Sequence, residues 1–294
     1  MSSFTVLFPS FSDGRREPDP EFYKEAQALD ALSIPWRVVN IDALIAGDLA
    51  KTFQFFSPSA GKLLYRGWIL HTHEYESLHS ELASRGCHLI TNPAAYRQGL
   101  LFPEFYPAIR THSFPAAWIA GCNARKAWKI AESLGPPPYF IKDYSKSAKE
   151  IWPEGCVVSG EDGMEGMSRA IRALRKYRGD RFESGIVIRP LMRLKYIGES
   201  AFGRAIHEEY RLFFFRGSLV VCSWYDRAGG DLTTLPDYSF LFERIASPFF
   251  SADIVRTEDG ALYIIEIGDG GVSGLPPTVS PLQFYRNLSN RLAL

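Results

Sequence analysis

The chain has 294 residues, 46% hydrophobic and 22% charged, a balance that suits a globular protein of one large or two ordinary domains. Lys+Arg and Asp+Glu both number 33, so no global basic field argues for nucleic acid or an anionic membrane surface. Four cysteines (Cys87, Cys122, Cys156, Cys222) lack C-x-x-C spacing, which argues against zinc and against a disulfide framework, and no stretch approaches the length of a membrane span.

The first apolar run, Phe4–Phe8, has no basic segment before it and is broken by Pro9, so it reads as a strand rather than a signal peptide. A reducing cytoplasm is the expected compartment. Asp19-Pro20 supplies an N-cap and a proline for a helix carrying Phe22, Ala26, Leu29 and Leu32 on one face. Trp36–Asn40 and Leu63–Leu70 are predicted strands, followed by a helix with Tyr75, Leu78 and Leu82 that stops at Gly86, and by a strand over His88–Thr91. Such alternation argues for a small parallel sheet of the doubly wound type.

Beyond this region the pattern changes to α+β with antiparallel strands, and a boundary is expected near residue 110. Asn123 caps a helix with Ala127, Ile130, Ala131 and Leu134 on one face, and Tyr139–Lys142 is a strand leading into the polar loop DYSKSAKE. Asp162 and Glu165 have capping-box spacing ahead of Met164, Met167, Ile171 and Leu174. Strand-like runs follow: IVIRPLM, then EEYRLFFFRGSLVVCSWY turned by Arg216-Gly217. The segment Gly198–His207 reads as a loop too small and polar for core.

The last strong signal is the stretch Phe249 to Pro276, two apolar strands joined by a Thr-Glu-Asp-Gly turn and followed by a glycine-rich loop. A two-residue loop sets Asp253 directly opposite Glu266; a four-residue loop makes them diagonal neighbours. Either register places two carboxylates on a face with Val255 and Ile264, which is destabilising unless a cation intervenes. Hard cations take carboxylate oxygens, and Mg²⁺ is commonly held by one or two carboxylates plus phosphates.

Other charged residues sit in apolar strands. Lys142, at a strand end before Ser145, Lys146, Ser147 and Lys149, can reach a phosphate as a point charge, though a solvated basic loop is the plainer reading. Arg211, near Glu208 and Glu209, needs an anionic partner, either a carboxylate or a phosphate. Arg189 precedes Pro190, where a strand must bend or reach an edge; Leu191 and Met192 beside it offer an adenine seat, against the plainer reading of an exposed edge arginine. Arg66 interrupts a buried strand, and at the C-terminal end of a parallel strand it would line a ligand crevice. Arg15 and Arg16 follow the first strand and could assist an anionic substrate, with a solvated loop the plainer reading. The histidines His71, His73, His79, His88, His112 and His207 lack ligand spacing, and no G-x-S-x-G or H-E-x-x-H is present. Gly268, Gly270, Gly271 and Gly274 permit close backbone approach to phosphate or substrate.

The ordered set of strand lysine, bent strand, E-x-R strand and Asp…Glu hairpin with a glycine-rich tail resembles the ATP-grasp superfamily. YRGWIL, FIKDYSKSAK, GIVIRPLM, EYRLFFFRG and IIEIGDGGVSGLP look like its clade named for two arginines and a lysine, and the likeness covers nearly the whole chain. It implies an α/β pre-ATP-grasp domain over 1–110 and an α+β ATP-grasp domain over 111–294, with lobes at about 111–187 and 188–294 clamping ATP between antiparallel sheets. By position, Lys142 and Lys149 would meet phosphates and Arg189, Pro190, Leu191 and Met192 the adenine. Glu209 and Arg211 would join the nucleotide site, with Lys142 and Arg211 as the catalytic pair. Asp253 and Glu266 would hold Mg²⁺. The superfamily's asparagine two residues after the glutamate is Gly268 here, so Asp269 is the substitute third ligand. Arg15, Arg16, Arg66, Gly271 and Ser273 are the expected substrate contacts.

The implied reaction is ATP- and Mg-dependent joining of a carboxylate to an amine through an acyl phosphate, the substrate being a small molecule or peptide bearing the carboxylate. Phosphoryl transfer to a hydroxyl, and a nucleotide-binding regulatory module without turnover, are the alternatives. Such chemistry asks for charge neutralisation and alignment rather than a protein nucleophile.

Overall fold

The computed structural model describes residues 4–10, 15–57, 61–200, 205–225 and 235–292. Two compact units divide the chain and neither is contiguous: one holds Met1–Gly99, Glu209–Asp253 and Ile267–Leu294, the other Leu100–Glu208 and Ile254–Glu266.

The first unit opens with β1 (Thr5–Pro9), α1 (Tyr23–Ala31), β2 (Trp36–Val39), α2 (Ile41–Ile45), α3 (Leu49–Thr52), β3 (Gly61–Tyr65), α4 (Thr72–Ser84), β4 (Cys87–Leu89) and α5 (Pro93–Leu100). The strands form the expected parallel sheet, in the order β2-β1-β3-β4. Local signals set its boundaries. Asp19 accepts the Glu21 amide at the start of a helical turn, and Gly86 takes a positive φ of 73° just past α4. The third strand is shorter than predicted: it stops at Tyr65, so Arg66 follows it directly and Trp68 is exposed.

The second unit contains α6 (Phe102–Ile109), β5 (Ala117–Ala120), α7 (Ala124–Ala131), β6 (Tyr139–Asp143), β7 (Val157–Val158), α8 (Gly163–Arg178), β8 (Gly185–Pro190), β9 (Tyr196–Glu199) and β10 (Ala205–His207). Asn123 caps α7 as predicted, accepting the Lys126 amide. The main sheet runs β5-β8-β6-β7 with antiparallel pairing. Ala127 and Ala131 of α7 and Met167, Ala170, Ile171 and Leu174 of α8 pack with Tyr139, Ile141, Ile186 and Ile188 into one core.

Three expectations in this unit are corrected. Asp162 makes no cap bond, because its oxygens are taken by Ser159 Oγ at 2.8 Å and Arg169 at 2.6 Å, and Met164 is exposed rather than on the buried stripe. β8 is central only through Ile188, where its pairing with β5 ends, so Arg189 and Pro190 reach an edge as expected; the reading corrected is that of an exposed edge arginine, since Arg189 is buried. Part of Gly198–His207 is ordered as a β9–β10 pair, Glu199 opposite Ala205 and Gly198 opposite Ile206, while 201–204 lie outside the described residues.

The chain continues with β11 (Glu209–Phe215), β12 (Ser218–Trp224), α9 (Leu241–Arg244), β13 (Phe249–Arg256), β14 (Leu262–Asp269) and α10 (Pro281–Leu292), the strands in the order β12-β11-β13-β14. Arg216 and Gly217 turn the β11–β12 hairpin with φ of 46° and 74°, the double positive φ of a type I′ turn. In the first unit Phe213, Phe215, Phe249, Phe284 and Leu288 share a core with Val6, Phe8, Ala26 and Leu29, which ties these late segments to the first sheet. The β13–β14 turn has neither of the two loop lengths expected. Thr257 N donates to Ala261 O at 2.9 Å, leaving Glu258, Asp259 and Gly260 as a three-residue loop, with Gly260 at a φ of 90°. That pattern is a type I turn closed by a left-handed residue.

Candidate functional site

In the second unit, β6 and β8 are registered so that Phe140 faces Arg189 and Lys142 faces Val187. Directly opposed residues share a side of the sheet, so Lys142 and Arg189 are diagonal neighbours on one face. Lys142 is 3% exposed; its Nζ donates to Glu266 Oε1 at 2.7 Å and to Ser145 O at 3.3 Å. Burial lowers its pKa, the charge of Glu266 opposes that, and Arg189 lowers it further. Arg189, 7% exposed, donates from NH1 to Ile265 O at 2.9 Å, and its guanidinium lies over Phe102 at 5.1 Å and Phe140 at 5.7 Å. Its Nε has no hydrogen-bond partner.

Glu266 is therefore the acid shared by this cluster. Burial would raise its pKa, but the charge and hydrogen bond of Lys142, with Lys146 and Lys149, hold it down to about 2. Two buried cations, Lys142 and Arg189, beside one carboxylate leave an excess of positive charge. Low dielectric makes that excess costly unless an anion joins it.

In the first unit, Arg211 and Asp253 form a bidentate pair, Nε to Oδ1 and NH2 to Oδ2, both at 2.7 Å. NH1 reaches Gly274 O at 3.0 Å, and the guanidinium stacks 4.4 Å from the Tyr225 ring centroid. The anionic partner that Arg211 required is thus Asp253.

Arg66 is not presented to a substrate. It is 1% exposed; Nε and NH2 grip Glu25 at 2.9 and 2.7 Å, while NH1 donates to Gly270 O at 2.6 Å and Ser273 O at 2.7 Å. Tyr285 OH donates to the same Glu25. Burial works against the Arg66 charge, but Glu25 and Tyr285 more than offset it and its pKa is raised. The residue holds the glycine-rich loop to the first sheet. Gly67 N donates to Gly271 O at 2.9 Å, and a Cβ at 271 would fall 2.5 Å from Tyr65 O. The close approach that Gly271 allows is to the protein's own backbone.

Asp269 is 2% exposed, with Oδ1 accepting the Gly271 amide at 2.8 Å and Oδ2 without a hydrogen bond. Burial raises its pKa to about 7, outweighing the Gly271 amide and the Arg66 charge; the Thr91 hydroxyl helps only from outside hydrogen-bond geometry. Beside it, Gly268 has no room for a side chain: a Cβ there would lie 2.5 Å from Ser273 Oγ and 2.7 Å from Ser251 Oγ. Those hydroxyls are 2.7 Å apart, and Ser273 Oγ donates to Asp269 O at 2.8 Å, so Ser251 donates to Ser273.

The remaining expected contacts are more open. Arg15, Arg16 and Lys149 are exposed, Glu209, Pro190 and Leu191 are half-buried, and Met192 is 37% exposed. Leu191 N donates to Pro138 O at 2.9 Å. Among the described residues no group of three or more His, Cys, Asp or Glu side chains gathers as a metal cluster, and no helix is long and apolar enough to cross a membrane. Sequence reasoning missed Glu25 and Tyr285. Glu25 carried a signal: it falls three residues after Phe22 and four before Leu29, on the buried stripe of α1.

A family model described as the ATP-grasp domain, family 3 of the clade named for two arginines and a lysine, matches residues 133–288. No protein of curated function matches the sequence. Among solved structures, a RimK-domain ATP-grasp protein from Sphaerobacter thermophilus aligns at 15% identity over 99% of this chain and 100% of its own, with a TM-score of 0.60. The D-cycloserine synthetase DcsG aligns at 14% identity over 98% and 99%, TM-score 0.61. The ATP-grasp ligase PsnB, solved with a minimal precursor, Mg and ADP, aligns at 9% over 98% and 97%, TM-score 0.55. At these identities the likeness is one of fold.

Proposed function

The chain belongs to the ATP-grasp family, in its two-arginine, one-lysine clade, and from that membership we propose that it is an ATP-dependent ligase joining a carboxylate to an amine. The observation that carries this reading is the charge imbalance of the second unit, where the buried Lys142 and Arg189 both lie beside the single carboxylate of Glu266. A polyphosphate is the anion that fits several cations at once, Lys as a point charge and Arg through its fork. The half-buried Pro190 and Leu191 and exposed Met192 then serve the adenine, with Glu209 at the start of β11.

Asp253 and Glu266 would hold Mg²⁺, and their partners suit the exchange. Each is now neutralised by a cation, Arg211 or Lys142, that a phosphate can claim, which would leave the carboxylate oxygens for the metal. Bound there, the ion would supply charge neutralisation for the phosphates. Asp269 is left outside this set, because it is buried and one of its oxygens is spent on the Gly271 amide.

In the reaction, Lys142 and Arg211 hold phosphoryl oxygens while the substrate carboxylate takes the γ-phosphoryl group. The acyl phosphate is then attacked by an amine and phosphate leaves, steps that alignment and electrostatics accelerate without a protein nucleophile. A small-molecule or peptide carboxylate is the proposed substrate, consistent with DcsG and PsnB. Arg15 and Arg16 are its exposed cationic candidates, while Ser273 and Gly271 act through the loop they shape.

Binding tests the reading first. Mg·ATP should raise the melting temperature of the native protein, and Asp253→Ala with Glu266→Ala should abolish the shift. No shift in the native protein overturns the proposal. Incubation with amino-acid and peptide pairs should then release ADP and phosphate. A stable phosphorylated product without an amine requirement selects a kinase instead, and binding without product selects a regulatory module.

A further inference from the structure

Asp143 follows Lys142 at the end of β6 and is fully buried, yet it faces the basic loop rather than the apolar core. Its Oδ1 accepts Ser145 N at 2.7 Å, Ser145 Oγ at 3.0 Å and Lys146 N. Its Oδ2 accepts Arg178 Nε at 2.8 Å and, more loosely, Glu183 N at 3.4 Å. Asp143 N donates to Lys146 O at 3.0 Å, closing the turn from the other side. The chain is thereby folded back on itself immediately after Lys142.

This turn acts on the lysines in two ways. It brings Ser145 O within 3.3 Å of Lys142 Nζ, a second anchor for the ammonium beside Glu266, and it roots the segment that carries Lys146 and Lys149. The other effect is electrostatic. An uncompensated carboxylate next to Lys142 would draw down the positive potential that a phosphate needs. Arg178, in the last turn of α8, takes that charge: its guanidinium is 16% exposed and its NH2 is anchored on Arg181 O at 2.8 Å. A cation in the final turn of a helix is also favoured by the backbone dipole.

We propose that Asp143 and Arg178 are a positioning pair that shapes the Lys142–Lys149 loop for a nucleotide polyphosphate while keeping the negative charge of Asp143 away from it. This rests on the nucleotide reading above. Neither residue touches the phosphates; both act through Lys142 and its loop.

Calorimetric titration with Mg·ATP and, separately, adenosine tests the pair, using native protein, Arg178→Gln, Arg178→Lys, Lys142→Ala and the Lys142→Ala/Arg178→Gln double variant. The expected result is at least a tenfold loss of Mg·ATP affinity in Arg178→Gln with adenosine affinity unchanged, and substantial recovery in Arg178→Lys. In the Lys142→Ala background, Arg178→Gln should cost clearly less than in the native protein, because the part of its effect that runs through Lys142 is already gone. Should Arg178→Gln fail to fold, Ser145→Ala, which removes one bond to Asp143 from a loop position, is expected to show the same selective loss on a smaller scale. Equal Mg·ATP affinity in native and Arg178→Gln protein, parallel loss of adenosine, or full additivity with Lys142→Ala overturns the pair's role while leaving nucleotide binding intact. Native protein that does not bind Mg·ATP overturns the nucleotide reading, and the pair's role with it.

Discussion

Lys142 Nζ stands 2.7 Å from Glu266 Oε1, the lysine side chain 3% exposed and the glutamate 36% exposed. The pair is asymmetric: the buried partner is the cation, and the partly open one is the acid that keeps it charged. Glu266 has its folded pKa lowered to about 2 from 4.5, so its stabilising contribution is full above 4.5 and is lost as pH falls toward 2. Glu266→Gln should therefore be less stable than the native protein at pH 6, with the gap closing steadily between pH 5 and pH 2. Denaturant melts across that range check the sign; a gap that widens on acidification contradicts the pairing.

The Arg66–Glu25 contact belongs to stability rather than substrate binding. Removing one member of a buried pair leaves the other charge uncompensated, typically at a cost of about 3–5 kcal/mol. Arg66→Met and Glu25→Gln are each expected to lose stability of that order in urea unfolding, and the double variant to lose clearly less than the sum. Arg66→Lys should recover little, since one ammonium cannot replace a fork that reaches Glu25 and two carbonyls at once. If the residue instead bound substrate, Arg66→Met would leave unfolding unchanged.

Gly268 is set by the serine hydroxyls that crowd it. Gly268→Ala should destabilise by roughly 1–3 kcal/mol, the range for overpacking a filled site. Ser251→Ala/Ser273→Ala removes both oxygens that a Cβ would meet, so adding Gly268→Ala to that background should cost much less. Unfolding free energies of the four proteins decide it. An equal cost in both backgrounds would assign the glycine to backbone conformation instead of space.

The elements with local causes were legible in the sequence. Asp19-Pro20, Asn123, Gly86 and Arg216-Gly217 each act within a few residues, and the structure uses each where the pattern placed it. The resemblance likewise pointed to the family to which the chain belongs. What escaped depends on chain returning from afar. Arg66 looked like a lone cation on a buried strand because Tyr285 and the Gly270–Ser273 carbonyls come from the last segment. Arg189 read as an exposed edge residue because nothing local says that Phe102 and Ile265 cover it. The Asp-Gly signal found the last hairpin but not its loop length, in which Thr257 and Ala261 close around three residues. Carboxylates could be chosen by residue type, whereas the cation that each one holds required the fold.

Asp269 supplies the opposite pH dependence to Glu266. Its folded pKa is raised to about 7 from 3.8, so the folded protein binds a proton more tightly than the unfolded chain across that interval. Stability therefore falls as pH rises from about 4 to about 7, the full penalty being present above the folded pKa. Three units at about 1.4 kcal/mol each set an upper bound of about 4 kcal/mol for this one group. Asp269→Asn keeps an oxygen for the Gly271 amide and cannot ionise. Its stability relative to the native protein should rise from pH 4 to pH 8, levelling off above about 7. Urea unfolding at matched ionic strength measures the difference. A constant offset between the two proteins over that range would mean that Asp269 is ionised in the folded protein as in the unfolded chain, and would contradict the raised pKa.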